Sequence, residues 1–392
     1  MLNGPFSPWP SFTQEEAEVV QRVLLSNKVN YWTGQEGREF EREFAAFAGT
    51  DHSIAVANGT VALDLALKGL DIGDGDEVIV TSRSFLASVS SIATAGAVPV
   101  FADVDRDSQN VTPETVAEKI TPRTRAIMAV HLAGWPCEMD GMMALAEEHS
   151  LFVIEDCAQA HGATYKGRSV GSIGHVGAWS FCQDKIMSTG GEGGMVTTND
   201  RTLWSRMWSY KDHGKSWESV YEREHPPGFR WLHESFGTNW RLTEMQSAIG
   251  RIQLQRMPEW NRSRLANAQR IWEGARQCLG LRVPVIPEHV EHAAYKCYLF
   301  VEPEALAEGW SRDRIMSEMQ ARGVPCMSGS CSEVYREKAF EGTGWRPTEP
   351  LPVARELGET SLMFLCHPTL TEAEIEKTCS VLQEVMAEAA GE

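Results

Sequence analysis

The chain has 392 residues, 42% hydrophobic and 23% charged, a balance typical of a folded globular protein that excludes disordered, collagen-like and low-complexity architectures. At about 150 residues per domain the length accommodates two to three domains, or one large domain with a smaller appendage. Thirty-six Lys and Arg against 54 Asp and Glu leave a formal net charge of −18, which repels a nucleic-acid backbone but still allows a local basic pocket for one small anion.

No apolar run approaches the roughly 18 residues that span a bilayer, and the start of the chain lacks a basic region followed by an apolar one, so the expectation is a cytoplasmic protein with no membrane partner. Nine cysteines without a CxxC pair point to reduced thiols. Cys326 and Cys331 make a poor zinc signature, and His289 and His292, with no ligand pattern around them, read as a surface loop; no metal site is expected.

In chain order, Phe40, Phe44 and Phe47 form one apolar helical face that Gly49 would terminate. From about residue 50 to 200, β-branched runs alternate with helical patterns, the rhythm of an α/β fold with parallel strands. The expected strands are Ser53–Ala57, Glu77–Thr81, Val98–Asp103, Ala126–His131, Leu151–Glu155, Ala178–Cys182 and Gly194–Thr198. Leu63, Leu67 and Leu70 place a helix after the first. A Thr243/Gln246 capping box opens a long helix that leads out of the large domain, taken as 1–255 with its N-terminal segment. Beyond it, a strand at Lys296–Val301, a helix from Arg312 and a final helix after Thr371, with Glu374 closing its box and Ile375, Cys379, Leu382 and Val385 facing inward, suggest a smaller C-terminal α+β domain at 256–392.

Three segments put polar groups at strand ends or helix starts: Asn58-Gly59-Thr60, Glu155–His161, and Ser180–Lys185 followed by the glycine-rich 190–194. Singly, each has an ordinary explanation as a cap, a turn or a solvated lysine. Together they meet the needs of one ligand. A helix N-terminus with a glycine and a hydroxyl suits a phosphate, a carboxylate at a strand end can keep a heteroaromatic nitrogen protonated, and a lysine on a glycine-flanked loop can form a Schiff base. Those are the requirements of pyridoxal phosphate. Phe85, just past a strand end, could stack on the pyridine ring or simply belong to the core.

The segments 37–49 (GREFEREFAAFAG), 57–67 (ANGTVALDLAL), 154–163 (IEDCAQAHGA), 179–195 (WSFCQDKIMSTGGEGGM) and 237–254 (GTNWRLTEMQSAIGRIQL) resemble, in order, the DegT/DnrJ/StrS-type nucleotide-sugar aminotransferases. The resemblance implies a fold type I pyridoxal-phosphate transferase with a large, mostly parallel seven-stranded sheet sandwiched by helices. It makes Lys185 the Schiff-base lysine and proton shuttle, Asp156 the partner of the pyridinium nitrogen, and Gln159 the neighbour of the phenolic oxygen. Gly59, Thr60 and Ser180 match the phosphate cradle, Phe85 the stacking aromatic, and Asn239 an asparagine that reaches the phosphate of the partner subunit in a homodimer.

By the same resemblance, an amino acid, L-glutamate, would convert the cofactor to pyridoxamine phosphate, and a nucleotide-linked keto-sugar would accept the amine in a ping-pong reaction of surface-polysaccharide or secondary-metabolite synthesis. Relatives that dehydrate sugars carry His in place of the lysine, so Lys185 favours transamination. A non-catalytic regulator of the same fold would not need both Lys185 and Asp156. One departure stands out: 328–335 reads SGSCSEVY where many relatives have a Tyr-x-Pro-x-His-like segment, which puts the transfer of their C-terminal sugar contacts in doubt. Lys211, Lys215, Arg223 and Arg230 are candidates for diphosphate contacts, in a stretch that reads equally as a loop over the active site and as an ordinary surface loop.

Overall fold

The structure, a computed structural model, describes residues 4–391. Seven strands form one sheet in the order His52–Val56, Gly194–Thr198, Val176–Ser180, Phe152–Asp156, Thr124–Val130, Glu77–Thr81, Val98–Ala102. Gly194–Thr198 is antiparallel to both neighbours, and the remaining pairs are parallel. Each expected strand is present within two residues of its expected bounds. Their near-continuous apolar runs follow from burial on both faces, as at Val78, Ile79 and Val80, all fully buried.

Residue parity sorts the two faces. Ile54, Val56, Ala178 and Val196 join one core, whereas Ala55, Trp179 and Met195 join another with the helix Glu36–Ala48. Phe40 and Phe44 of that helix are fully buried, Phe44 with its ring 5.2 Å from Trp179 and Phe40 5.4 Å from Phe181. The helix ends at Gly49, whose φ of 67° is the left-handed cap expected there.

The helix capped by Thr243 runs Glu244–Ala275, 32 residues with Pro258 in its interior. Its first half places Leu254 and Met257 in the core shared with Phe40 and Phe44; its second half places Ala268, Ile271, Trp272 and Ala275 in a separate core. That second core lies under a four-stranded antiparallel sheet ordered Leu281–Arg282, Cys297–Val301, Ser361–Phe364, Cys326–Met327. The helices Arg312–Ala321 and Glu372–Ala390 complete it, with Ile375, Leu382 and Val385 buried. Residues 7–9 lie on this part of the molecule: the Ser7 amide and hydroxyl donate to the Glu374 carboxylate, and Trp9 stacks on His367.

Two local expectations need correction. His292 is not on the surface; it is buried with its ring edge-on to Trp135 and Trp272, and its Nδ1 accepts from the Ala294 amide at 2.7 Å. A small third sheet, Val290–Glu291 with Thr164–Tyr165 and Arg168–Ser169, has no counterpart in the sequence reading, because two-residue strands are too short to show alternation. Among the described residues all nine cysteines are free, and no helix is long and apolar enough to cross a membrane.

Candidate active site

The parallel strands end on one side, where open α/β sheets collect ligands, and a cavity of about 790 Å³ opens there. Its walls include Asn58, Gly59, Thr60, Phe85, Asp156, Gln159, Ser180 and Lys185, so one site unites the three separate motifs.

One end of the cavity is built by the helix Gly59–Gly69. Asn58 caps it, its Oδ1 accepting from the Val61 amide at 2.9 Å, which leaves the Gly59 and Thr60 amides as open donors of the first turn. Ser180, at the end of its strand, packs so tightly against Gly59 that a Cβ there would lie 2.5 Å from the Ser180 Cβ. A glycine is therefore required for the helix start to meet the strand. Open amides, a serine hydroxyl and the positive helix end suit a dianionic phosphate.

Asp156 ends the strand Phe152–Asp156 and is 5% exposed. Its Oδ2 accepts from the Ser88 hydroxyl at 2.7 Å and its Oδ1 from the Ala158 amide at 3.1 Å, while Ser88 is 2.9 Å from the Ser84 hydroxyl. The carboxylate is thus aimed before any ligand arrives, the arrangement needed to hold a ring N–H. Gln159 is fixed the same way: its Oε1 accepts from the amide of Ala133, a residue held at φ 58°. Phe85 is 68% exposed on the cavity wall, which removes the core reading and leaves its face free for stacking.

Lys185 follows the strand Val176–Ser180 on a loop anchored by Trp9, whose indole N–H donates to the Lys185 carbonyl at 2.8 Å. Its amine stands 5.2 Å from the centre of the Tyr295 ring. Asp184 accepts a hydrogen bond from the Tyr295 hydroxyl. Burial pushes the Asp184 carboxyl up, but the charge of Lys185 and this hydrogen bond prevail and hold it below the usual carboxylate range.

The neighbour of Asp156 faces the other way. Glu155 is fully buried and accepts from the amides of Gly171, Ile173 and Gly174 and from His131 Nε2. Burial raises its carboxyl, and the four donors outweigh that and hold it low. His131 Nδ1 accepts from the Cys137 amide, so both ring nitrogens are committed. In the cluster of His131, Glu155 and Cys157 the carboxylate oxygens and both ring nitrogens are thus held by protein hydrogen bonds, and the Cys157 thiol lies 3.6 Å from the Glu155 carbonyl oxygen.

The opposite wall comes from residues that the sequence reading did not select: Tyr295, Lys296, Tyr298, Gly329 and Ser330. Arg83, fully buried, supports it from behind, donating to Gln109, Ser332 and Ser361. The Ser84 amide donates to the Cys331 carbonyl, and Tyr298 accepts from the Ser330 amide at 2.8 Å. The divergent 328–335 segment thus reaches the cavity and is stapled to the loop carrying Phe85. The one available signal was Lys296, a charge just ahead of an apolar strand.

The four candidates for diphosphate contacts do not line this cavity. Lys211 is fully buried, its amine 3.7 Å from Glu41 and 4.1 Å from the centre of the Tyr31 ring, and is unavailable to any substrate. Lys215 pairs with Asp212 and lies over Trp32, and Arg223 bridges Glu218 and Glu234. Arg230 is exposed and, like the others, outside the lining. The stretch is therefore not a lid on its own cavity. It is an arm closed by the Lys215–His233 bridge, carrying Phe229, Trp231 and Phe236 at 77%, 82% and 99% exposure, with Asn239 exposed at its base.

A sheet of this topology with a lysine, an anchored carboxylate and an anion-binding helix terminus around one cavity defines a lysine-based cofactor enzyme, and the donor set fits pyridoxal phosphate. The profile of the DegT/DnrJ/EryC1/StrS aminotransferase family matches residues 10–383. The dTDP-3-amino-3,4,6-trideoxy-alpha-D-glucose transaminase of Streptomyces venezuelae is 35% identical over 94% of this chain and 92% of its own. The GDP-perosamine synthase of Caulobacter vibrioides is 37% identical over 91% and 92%. The crystal structure of an aminotransferase from Psychrobacter cryohalolentis superposes with a TM-score of 0.97 at 63% identity, covering 98% of this chain and 100% of that one. The chain belongs to the DegT/DnrJ/EryC1/StrS family of pyridoxal-phosphate-dependent aminotransferases.

Proposed function

We propose that this aminotransferase moves an amino group from an amino acid, L-glutamate, to a nucleotide-linked keto-sugar in amino-sugar synthesis. The observation that carries the reading is the convergence of Lys185, Asp156 and the open Gly59–Thr60 helix terminus on one cavity. The sugar-nucleotide substrates in the names of the Streptomyces and Caulobacter relatives support the acceptor class. The bound cofactor supplies an electron sink that weakens the bond to the transferred proton. Within that frame the chain's own groups have distinct tasks. Lys185 holds the cofactor and moves the proton, Asp156 keeps a ring N–H in place, Gln159 sits beside the ring's phenolic oxygen, Phe85 covers a face, and Gly59, Thr60 and Ser180 bind the phosphate.

In the same reading the enzyme is a cytoplasmic homodimer of two-domain chains, divided at 255/256. Each Asn239 reaches the partner's phosphate site, and the exposed Phe229, Trp231 and Phe236 are covered by the second copy. Sedimentation of the holoenzyme tests the assembly: a monomer at micromolar concentration rules it out.

The function is tested by absorbance spectra of wild type and Lys185→Ala, before and after L-glutamate without acceptor. The expected result is a visible cofactor band in wild type that L-glutamate bleaches, and a variant in which the band is absent or altered and does not respond. A wild type that holds the cofactor but responds to no amino donor would contradict transamination and return the dehydration and regulatory readings.

A further inference from the structure

Lys296 lines the cavity, half-buried, one residue after Tyr295 and directly ahead of the strand Cys297–Val301. Among the described residues its amine makes no hydrogen bond or ion pair; its one side-chain contact of this kind is with the Tyr295 ring, 4.7 Å from the centroid. Lys185 stands against the same ring at 5.2 Å, lines the same cavity and acts on Lys296 by its charge. Behind them is a second cation with no carboxylate contact, its guanidinium 4.7 Å from the centre of the Trp9 ring. Arg264, on the long helix, is 1% exposed with its Nε and Nη2 lacking any hydrogen-bond partner, and its charge acts on Lys296. Burial holds the Lys296 amine below the usual lysine range, opposed by Cys366 and the Asp184 carboxylate and reinforced by the like charges of Arg264 and Lys185. Asp184 acts on Lys296 only through space, its carboxylate accepting from the Tyr295 hydroxyl and making no ion pair with the Lys296 amine among the described residues.

Two partly or fully buried cations with no carboxylate in hydrogen-bond or ion-pair contact among the described residues are costly, and an anion placed against Lys296 is favourable to both. The phosphate end of the cavity is built separately at Gly59, Thr60 and Ser180, so this second cationic corner serves another group. Its closeness to Lys185 selects among the anions of the reaction. An amino acid carries its carboxylate on the very carbon that exchanges the amine. The reacting carbon of a keto-sugar is flanked by neutral carbons, and the diphosphate is attached at a different ring carbon.

We propose that Lys296, backed by Arg264, binds a carboxylate of the amino donor beside the reacting amine and so selects amino acids over simple amines. The inference rests on the amino-acid-donor reading above. It makes Lys296 a specificity residue for the first half of the reaction, on a wall contributed by the C-terminal part of the chain.

The test uses holoenzyme and separates the two ligands. Glutarate, a dicarboxylate with no amine to transfer, is titrated calorimetrically into wild type, Lys296→Met, Lys296→Gln and Lys296→Arg. The affinity for L-glutamate is read from the amplitude of the cofactor band, and the affinity for UDP-, GDP- and dTDP-glucose by calorimetry. Loss of one charge-assisted contact predicts that Met and Gln weaken glutarate and L-glutamate by about 10- to 100-fold, that Arg restores most of the affinity, and that sugar-nucleotide binding is unchanged. Unaltered donor affinity in both neutral variants overturns the role of Lys296. So does a loss confined to the sugar nucleotides, which would place their phosphate or a sugar carboxylate in this corner. A wild type whose cofactor band no amino acid changes overturns the donor reading itself and is distinguishable from either result.

Discussion

Ser88 shows how a residue outside the sequence motifs can govern a motif residue. Its hydroxyl donates to Asp156 at 2.7 Å and is itself paired with Ser84, so the carboxylate is oriented by a short relay. A hydrogen bond to a charged group is worth about 1.5–3 kcal/mol, and its loss frees the Asp156 carboxylate to rotate from the orientation it holds at the cavity wall. Ser88→Ala is therefore expected to weaken cofactor affinity by about tenfold or more and to lower the stability of the apo-protein by about 1–3 kcal/mol, since Ser84 and Asp156 are buried. Equilibrium titration of the apo-protein with pyridoxal phosphate checks this; an unchanged affinity would mean that the Ala158 amide and packing suffice to aim the carboxylate. Asp156 and Lys185 were legible because each sits inside a contiguous motif whose residue types have few other joint explanations. Ser88 was not, because a serine three residues past Phe85 looks like any helix surface position.

The cradle is a property of elements rather than of single side chains. The helix Gly59–Gly69 can present its open amides only if its first turn touches the strand ending at Ser180, and Gly59 is what permits that approach. In Gly59→Ala the new Cβ would sit 2.5 Å from the Ser180 Cβ and 2.9 Å from its Oγ, so helix and strand must part. Overpacking of this kind costs about 1–3 kcal/mol, and here it also moves the open amides proposed to bind the phosphate. The variant is expected to lose cofactor affinity far more than Thr60→Ala, whose exposed side chain can be trimmed without moving the backbone. Comparing pyridoxal-phosphate dissociation constants and melting temperatures of the two decides it; equal losses would show that the Thr60 hydroxyl, not the helix position, governs binding. At this scale the strands and caps were readable from periodicity and capping boxes, because local pattern specifies local structure. The arm at 213–239 was not, because nothing in its composition says against which surface it lies.

At the scale of the whole molecule, buried histidines tie stability to pH. Burial lowers His161 and His292 to about 3, with the charges of Lys185 and Arg264 adding to the effect on His161. Both rings are fully desolvated: His161 packs against Trp179 and Phe181, and His292 against Trp135 and Trp272. On unfolding each returns to the ordinary value of 6.5. Between pH 6.5 and about 3 the unfolded chain therefore takes up protons that the native chain refuses, so stability is full above this window and falls as pH drops through it. Denaturant unfolding at fixed protein and cofactor concentration should show a decline below pH 6.5. His292→Asn keeps an acceptor for the Ala294 amide and should flatten the slope by up to about 1.4 kcal/mol per pH unit. An unchanged slope would mean that the native ring is protonated in this range.

The sequence by itself determined the seven strands, their α/β alternation, the caps of the long helices and half of the cavity, since each depends on neighbours within a few residues. Only the tertiary structure decided what faces that half. Tyr295, Lys296, Gly329 and Ser330 reach Lys185 from more than a hundred residues away, brought there by the helix Glu244–Ala275 and the Arg83 staple. The same long-range packing moved Lys211, which resembles a solvated loop lysine in the sequence, into a buried pair with Glu41. Burial and partnership are set by which distant surfaces meet, and no local pattern encodes that meeting.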